Sequence, residues 1–198
     1  MEQSKATRDR LIDAAHSLAL EKGIARTSVS DVLEAADTRK GSSYHYFPDM
    51  ESLGLAVLEN ERVQFLDKID NWLNAPTLAE GIKRFLTEAL KLHEKTVFAG
   101  GCIWGNTVLE MCDANLLFAE FVSGVFDEWV EKIEDVIQAG QECGQLPREV
   151  TAHEAAGLVV SVIEGGVMLS CFNKESVPLE GTLSFLHSTL AKPESAAL

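Results

Sequence analysis

Apolar positions along this chain recur at intervals of three and four, the spacing of one face of an α-helix. Leu11, Ile12, Ala15, Leu18 and Ala19 form the first such stripe, and Gly23 supplies a stop after it. Val29, Val32, Leu33 and Ala36 form a second, shorter stripe. It opens on Ser28-Val29-Ser30-Asp31, the spacing of a capping box with Asp in place of the usual Glu. A third short segment follows the turn at Asp37-Thr38 and must end near Pro48. Beyond it the pattern predicts a helix from about Leu53 to Leu73, interrupted before Pro76, and another over Leu78, Ile82, Phe85, Leu86, Ala89 and Leu92. Gly100-Gly101 breaks the chain, and a helix restarts near Cys102 and runs through Leu109 to Met111. Leu117, Phe121, Val125, Trp129 and Val136 mark a long helix that ends near Gly140 to Gly144. The last two helices are Glu154 to Phe172 and a stripe of Leu179, Leu183, Leu186 and Leu190. The expected fold class is all-α.

The third segment departs from this pattern. Lys40-Gly41-Ser42-Ser43-Tyr44-His45-Tyr46-Phe47 sets a lysine, two hydroxyls and three hydrogen-bonding rings side by side. Buried, each of those polar groups would need a partner. On the surface they are donors suited to phosphates and base edges. Two short helices leading into an exposed, basic third read as a helix-turn-helix DNA reader.

Charge at first argues the other way, because the 198-residue chain carries a net −14. Residues 1–48 hold seven Lys/Arg and seven Asp/Glu, which leaves ten against twenty-four in the remainder. The N-terminal segment is thus neutral, with Arg39 and Lys40 concentrated at the reading helix. An acidic body repels DNA except at the reading head, which favours one orientation.

Residues 7 to about 58 resemble the N-terminal domain of the TetR family of bacterial one-component repressors. The residues that carry the resemblance are Gly23-Ile24-Ala25-Arg26-Thr27-Ser28 and then Lys40-Gly41-Ser42-Ser43-Tyr44-His45-Tyr46-Phe47. The chain departs from the family pattern at Asp37, where a turn glycine is usual, at Arg39, in place of a small hydroxyl, and at Met50, near a usual phosphate-binding lysine. The resemblance implies an N-terminal helix-turn-helix domain, residues 1–49, and a C-terminal ligand-binding and dimerisation domain, residues 50–198. It places Thr27, Ser28, Arg39, Lys40, Ser42, Ser43, Tyr44, His45 and Tyr46 at the DNA, with Tyr44 on a phosphate. It also implies that the last two helices form a four-helix bundle with a second copy. Gly157, Ser161 and Gly165 recur every four residues and let another backbone approach, while Leu179, Leu183 and Leu186 can fill the facing grooves.

The middle of the C-terminal region offers a second candidate site. Phe98, Trp104, Phe121 and Trp129, with Phe118, Phe126 and Phe172, supply aromatic surface for a pocket between helices. Asn106, His93 and Glu110 are its candidate polar contacts. Cys102 follows two glycines at an expected helix start, where unpaired amides favour a thiolate. Gly101-Cys102-Ile103, with Glu110-Met111-Cys112-Asp113 after it, is similar to family members that respond to electrophiles or oxidants. Cys171 is expected near the same pocket.

The remaining chemistry is sparse. The four cysteines form no C-x-x-C pair, which points to reduced thiols and a cytoplasmic chain. The five histidines are scattered, so no metal and no cofactor is expected. No P-loop, dinucleotide fingerprint or Gly-x-Ser-x-Gly appears, so an enzyme is not expected. No run of eighteen apolar residues and no signal-peptide pattern appears, so no membrane span is expected. The sequence thus reads as a homodimeric repressor on pseudo-palindromic double-stranded operator DNA, released by a small-molecule or electrophilic inducer. A DNA-binding regulator without an inducer and a helical carrier or enzyme are the alternatives.

Overall fold

The computed structural model describes residues 2–38, 45–95, 98–146 and 148–190. These form eight helices and no strand. They are α1 (Glu2–Lys22), α2 (Val29–Ala35), α3 (Met50–Leu73), α4 (Leu78–Glu94), α5 (Ile103–Met111), α6 (Leu116–Glu142), α7 (Ala152–Asn173) and α8 (Val177–Leu190). They divide into two compact units, Met1–Gln64 with Ile103–Ser123, and Phe65–Cys102 with Gly124–Leu198. The first holds α1, α2 and α5, and the second holds α4, α7 and α8, while the boundary falls within α3 and α6.

In the first unit the stripe of α1 is buried as its spacing predicts, with Leu11, Ile12, Ala15 and Ala19 inside. Gly23 ends the helix at φ +91°, its N–H donating to Ala19 O at 3.0 Å. The capping box of α2 is present: Asp31 N–H donates to Ser28 Oγ at 3.2 Å, and Ser28 N–H donates to Asp31 Oδ2 at 2.9 Å. Lys22 Nζ lies 2.6 Å from the same carboxylate oxygen. That ammonium and the Ser28 donors hold the Asp31 carboxyl well below the usual carboxylate range. Asp37 takes the left-handed conformation at φ 47°, the position for which the family pattern uses glycine. Asp49 caps α3 by accepting the Ser52 N–H at 2.8 Å.

In the second unit α8 packs on both α7 and α4. Leu179, Leu183 and Leu186 are 0%, 6% and 3% exposed there. They fill the interior of their own unit rather than a seam with a second copy, because α7 and α4 already cover that face of α8. Leu179 N–H also donates to the buried Ser170 Oγ at 2.9 Å, fastening the start of α8 to α7. By length and composition α7 meets the criterion for a bilayer span. Its apolarity belongs to two faces, one buried through Val159, Val160, Ile163 and Val167, and one exposed at Leu158, Met168, Leu169 and Phe172.

Candidate nucleic-acid interface and effector site

The reading segment lies only partly within the described residues. Arg39, Lys40, Ser42, Ser43 and Tyr44 fall outside them. His45 is exposed and Tyr46 half-buried, with their rings edge to face at 5.2 Å. Phe47 is buried and anchors the end of the segment, the Arg8 guanidinium lying over its ring at 5.4 Å. Ser28 is exposed at the N-cap of α2. Thr27, expected at the DNA, is instead 6% exposed and donates its hydroxyl to Gly23 O at 2.8 Å. It holds the turn between α1 and α2 and offers no surface donor.

Glu110, expected as a pocket contact, serves that same turn. Its Oε2 accepts the Ala25 N–H at 3.1 Å. Asn115 extends the fastening by donating to the Glu51 carboxylate and by accepting the Leu117 N–H at 2.9 Å at the start of α6.

The expected pocket residues separate between the two units. Trp104, buried, and Asn106 and Phe121, half-buried, belong to the first. Phe98, Cys102, Trp129 and Cys171 belong to the second. Phe172 is 84% exposed and lines no pocket among the described residues. Trp129 is 4% exposed, edge to face with Phe65 at 4.9 Å and stacked on Phe126 at 6.0 Å. Its indole N–H has no acceptor among the described residues. Burial pushes the proton affinity of half-buried His93 down, which favours the neutral ring.

Around Cys102 the second unit gathers groups that the sequence reading did not. Phe98, Gly100 and Gly101 all have positive φ, 53°, 80° and 65°. Such a run lets residues 98–102 lie against α7 in a strap, and three contacts hold it there. The Phe98 carbonyl accepts from Lys174 Nζ at 3.4 Å, the Gly101 N–H donates to the Cys171 sulfur, and the Cys102 thiol donates to Glu164. Glu164 is half-buried, and desolvation raises its carboxyl above the usual range against the opposing Cys102 hydrogen bond. Burial likewise pushes the Cys171 thiol up. Neither Glu164 nor Lys174 was expected at the site. A signal existed, because Glu164 is the sole charged residue between Glu154 and Lys174. Cys102, Cys112, Cys143 and Cys171 are not joined in disulfides.

The three small residues of α7 expected at a seam with a second copy, Gly157, Ser161 and Gly165, face outward. An added Cβ at Gly157 or Gly165 meets nothing, and Ser161 is exposed with its hydroxyl on Gly157 O at 2.8 Å. Leu158, Met168, Leu169 and Phe172 share that face, and Val177 and Phe185 of α8 are also exposed.

Comparison with known proteins agrees with both halves of this description. Residues 11–57 match the family model for bacterial regulatory proteins of the tetR family, and residues 79–186 match the tetracyclin repressor-like C-terminal domain. The HTH-type transcriptional repressor DhaR of Mycobacterium sp. (strain GP1) is 24% identical over 92% of this chain and 91% of its own. A TetR transcriptional regulator from Chloroflexus aurantiacus J-10-FL superposes with a TM-score of 0.88 at 30% identity, covering 97% of this chain and 98% of that one. The reduced form of E. coli NemR shares the fold, with a TM-score of 0.80 at 20% identity over 95% of this chain and 99% of that one. The chain belongs to the TetR family of bacterial DNA-binding transcriptional regulators.

Proposed function

We propose that this chain is a homodimeric cytoplasmic repressor released from its operator when an electrophile or oxidant reacts at Cys102. In this reading residues 1–49 read a pseudo-palindromic operator, and residues 50–198 dimerise and receive the inducer. The observation that carries it is the strap of residues 98–102, which sets a thiol against a half-buried carboxylate. Adding a group to that sulfur removes the S–H donor and leaves Glu164 to find another partner, at a cost of about 1–3 kcal/mol. A cost of that size matches a typical allosteric coupling, also about 1–3 kcal/mol. That DhaR is named a repressor supports the sign of regulation.

The test is a gel shift on the DNA upstream of the chain's own gene, with and without an alkylating electrophile or hypochlorite, in wild type and Cys102→Ser. Release of wild type alone supports the reading. Equal release of both proteins, or release of neither, removes Cys102 as the switch. A second reading then takes its place, carried by the buried Trp129 N–H that lacks an acceptor among the described residues. A reversibly bound ligand with a hydrogen-bond acceptor among the rings of Phe65, Phe126 and Trp129 would satisfy it.

A further inference from the structure

We propose that Glu164 is the base that takes the Cys102 proton when this thiol is alkylated. The proposal rests on Cys102 being the reacting group, and it adds the residue that makes the reaction fast. Three features of the second unit carry it. The strap is pinned on the N-terminal side of the thiol, at Phe98 by Lys174 just past α7 and at Gly101 by Cys171 within α7, which directs Cys102 to its contact with Glu164. The positive φ at Gly100 and Gly101 gives the strap a course that residues with side chains rarely follow. Glu164 is moreover the only charge in a long apolar stretch of α7, where a carboxylate is costly to keep. Accepting a proton neutralises it.

The chemistry is balanced without a redox partner. With an activated alkene next to a carbonyl, the Cys102 sulfur bonds to the β-carbon as its proton passes to Glu164. The π pair moves to the carbonyl oxygen to give an enolate, which recovers the proton from Glu164 at the α-carbon. The S–H and C=C π bonds break, and S–C and C–H bonds form. Burial supports this role, since a carboxylate whose proton affinity is raised lies closer to the thiol it must deprotonate. The other titratable groups of the cluster are Cys171, near the end of α7, and Lys174, the residue that caps it.

The experiment uses the full chain and N-ethylmaleimide as the probe. Mass spectrometry follows modification at Cys102 with time from about pH 5.5 to 9, in wild type, Glu164→Gln and Glu164→Asp. At neutral pH wild type is expected to react about tenfold or more faster than Glu164→Gln, at the low end of general-base effects. The wild-type profile should rise through the titration of Glu164, whereas Glu164→Gln should follow only thiol ionisation near about pH 8.5. Glu164→Asp should keep the lower limb at reduced rate, which a purely structural role would not produce. It also decides the matter if circular dichroism shows Glu164→Gln unfolded, because an Asp variant without the lower limb overturns the proposal. A folded Glu164→Gln that reacts as fast as wild type overturns it too. A faster one means that the carboxylate represses the thiolate. DNA release measured in parallel judges the sensor reading separately. Modification of Cys102 without release sinks the sensor reading and leaves Glu164 to the rates, while an unreactive wild-type Cys102 sinks both.

Discussion

The carboxylate of Glu110 occupies the space that a side chain on Gly23 would need. A Cβ built at Gly23 runs into the Glu110 carboxylate, and the same carboxylate accepts the Ala25 N–H two residues on. Helix α5 thus grips the turn that ends α1 and leads into α2. The grip requires glycine twice over, once for φ +91° and once for room.

Gly23→Ala is therefore expected to lower stability by about 1–3 kcal/mol, from the left-handed backbone and the displaced carboxylate together. Glu110→Gln, which keeps an acceptor for Ala25, should cost less than Glu110→Ala. Thermal denaturation of the three variants checks this order, and a Gly23→Ala protein as stable as wild type would exclude the grip.

The adjacent glycines of α7 should behave in opposite ways. A Cβ at Gly166 comes within 2.7 Å of Thr182 Oγ1 in α8, so Gly166→Ala should destabilise the chain itself, by roughly 1–3 kcal/mol. A Cβ at Gly165 meets nothing among the described residues, so Gly165→Leu should fold normally. If a second copy covers that face, Gly165→Leu sediments as a monomer and binds DNA weakly. An unchanged dimer would place the interface elsewhere.

His153 gives a pH dependence of known sign. Its Nδ1 lies 2.7 Å from Glu134 Oε2, and that hydrogen bond, with the charge of Glu134, raises the affinity of the ring for its proton. A folded-state value above the unfolded one means stabilisation present below about pH 6.5 and lost as pH rises through the raised value. The melting temperature of wild type should exceed that of His153→Ala under mildly acidic conditions and converge with it in alkali. Added salt should shrink the difference, because the ring is exposed. A difference constant with pH would show that the ion pair is not its origin.

The reading segment makes the simplest prediction. Tyr44→Ala or Lys40→Ala should weaken operator binding while leaving fold and dimer intact. If Lys40 meets a phosphate, its removal should also lower the slope of log affinity against log salt by about one. Wild-type binding by Tyr44→Ala across salt concentrations would remove this segment from the interface.

The helices were legible in the sequence because each has its own stripe and its own punctuation. The Ser28 and Asp31 box, the Gly23 stop and the break at Gly100-Gly101 all depend on residues within a turn or two of each other. What was not legible depends on distance along the chain. Glu110 reads as a candidate pocket contact until its partner, 85 residues earlier, is in view. The leucines of α8 have the right period, but a period says that a face is covered and not by what. Here α7 and α4 of the same chain cover it. Glu164 was passed over because a single carboxylate in an apolar run breaks a pattern without making one. Thr27 matched a motif, but in this chain its hydroxyl ties the turn to Gly23 O, four residues earlier.

The apolar face left open on α7 and α8 also bears on how such a regulator scales with its own supply. If only the paired form holds an operator, the active species at low expression grows as the square of the chain concentration. Halving synthesis then cuts occupancy by up to about four, and the onset of repression is set by the strength of that one seam. Substitutions at Gly157, Ser161 or Gly165 would therefore move the expression threshold of the regulated gene without touching either the thiol or the DNA.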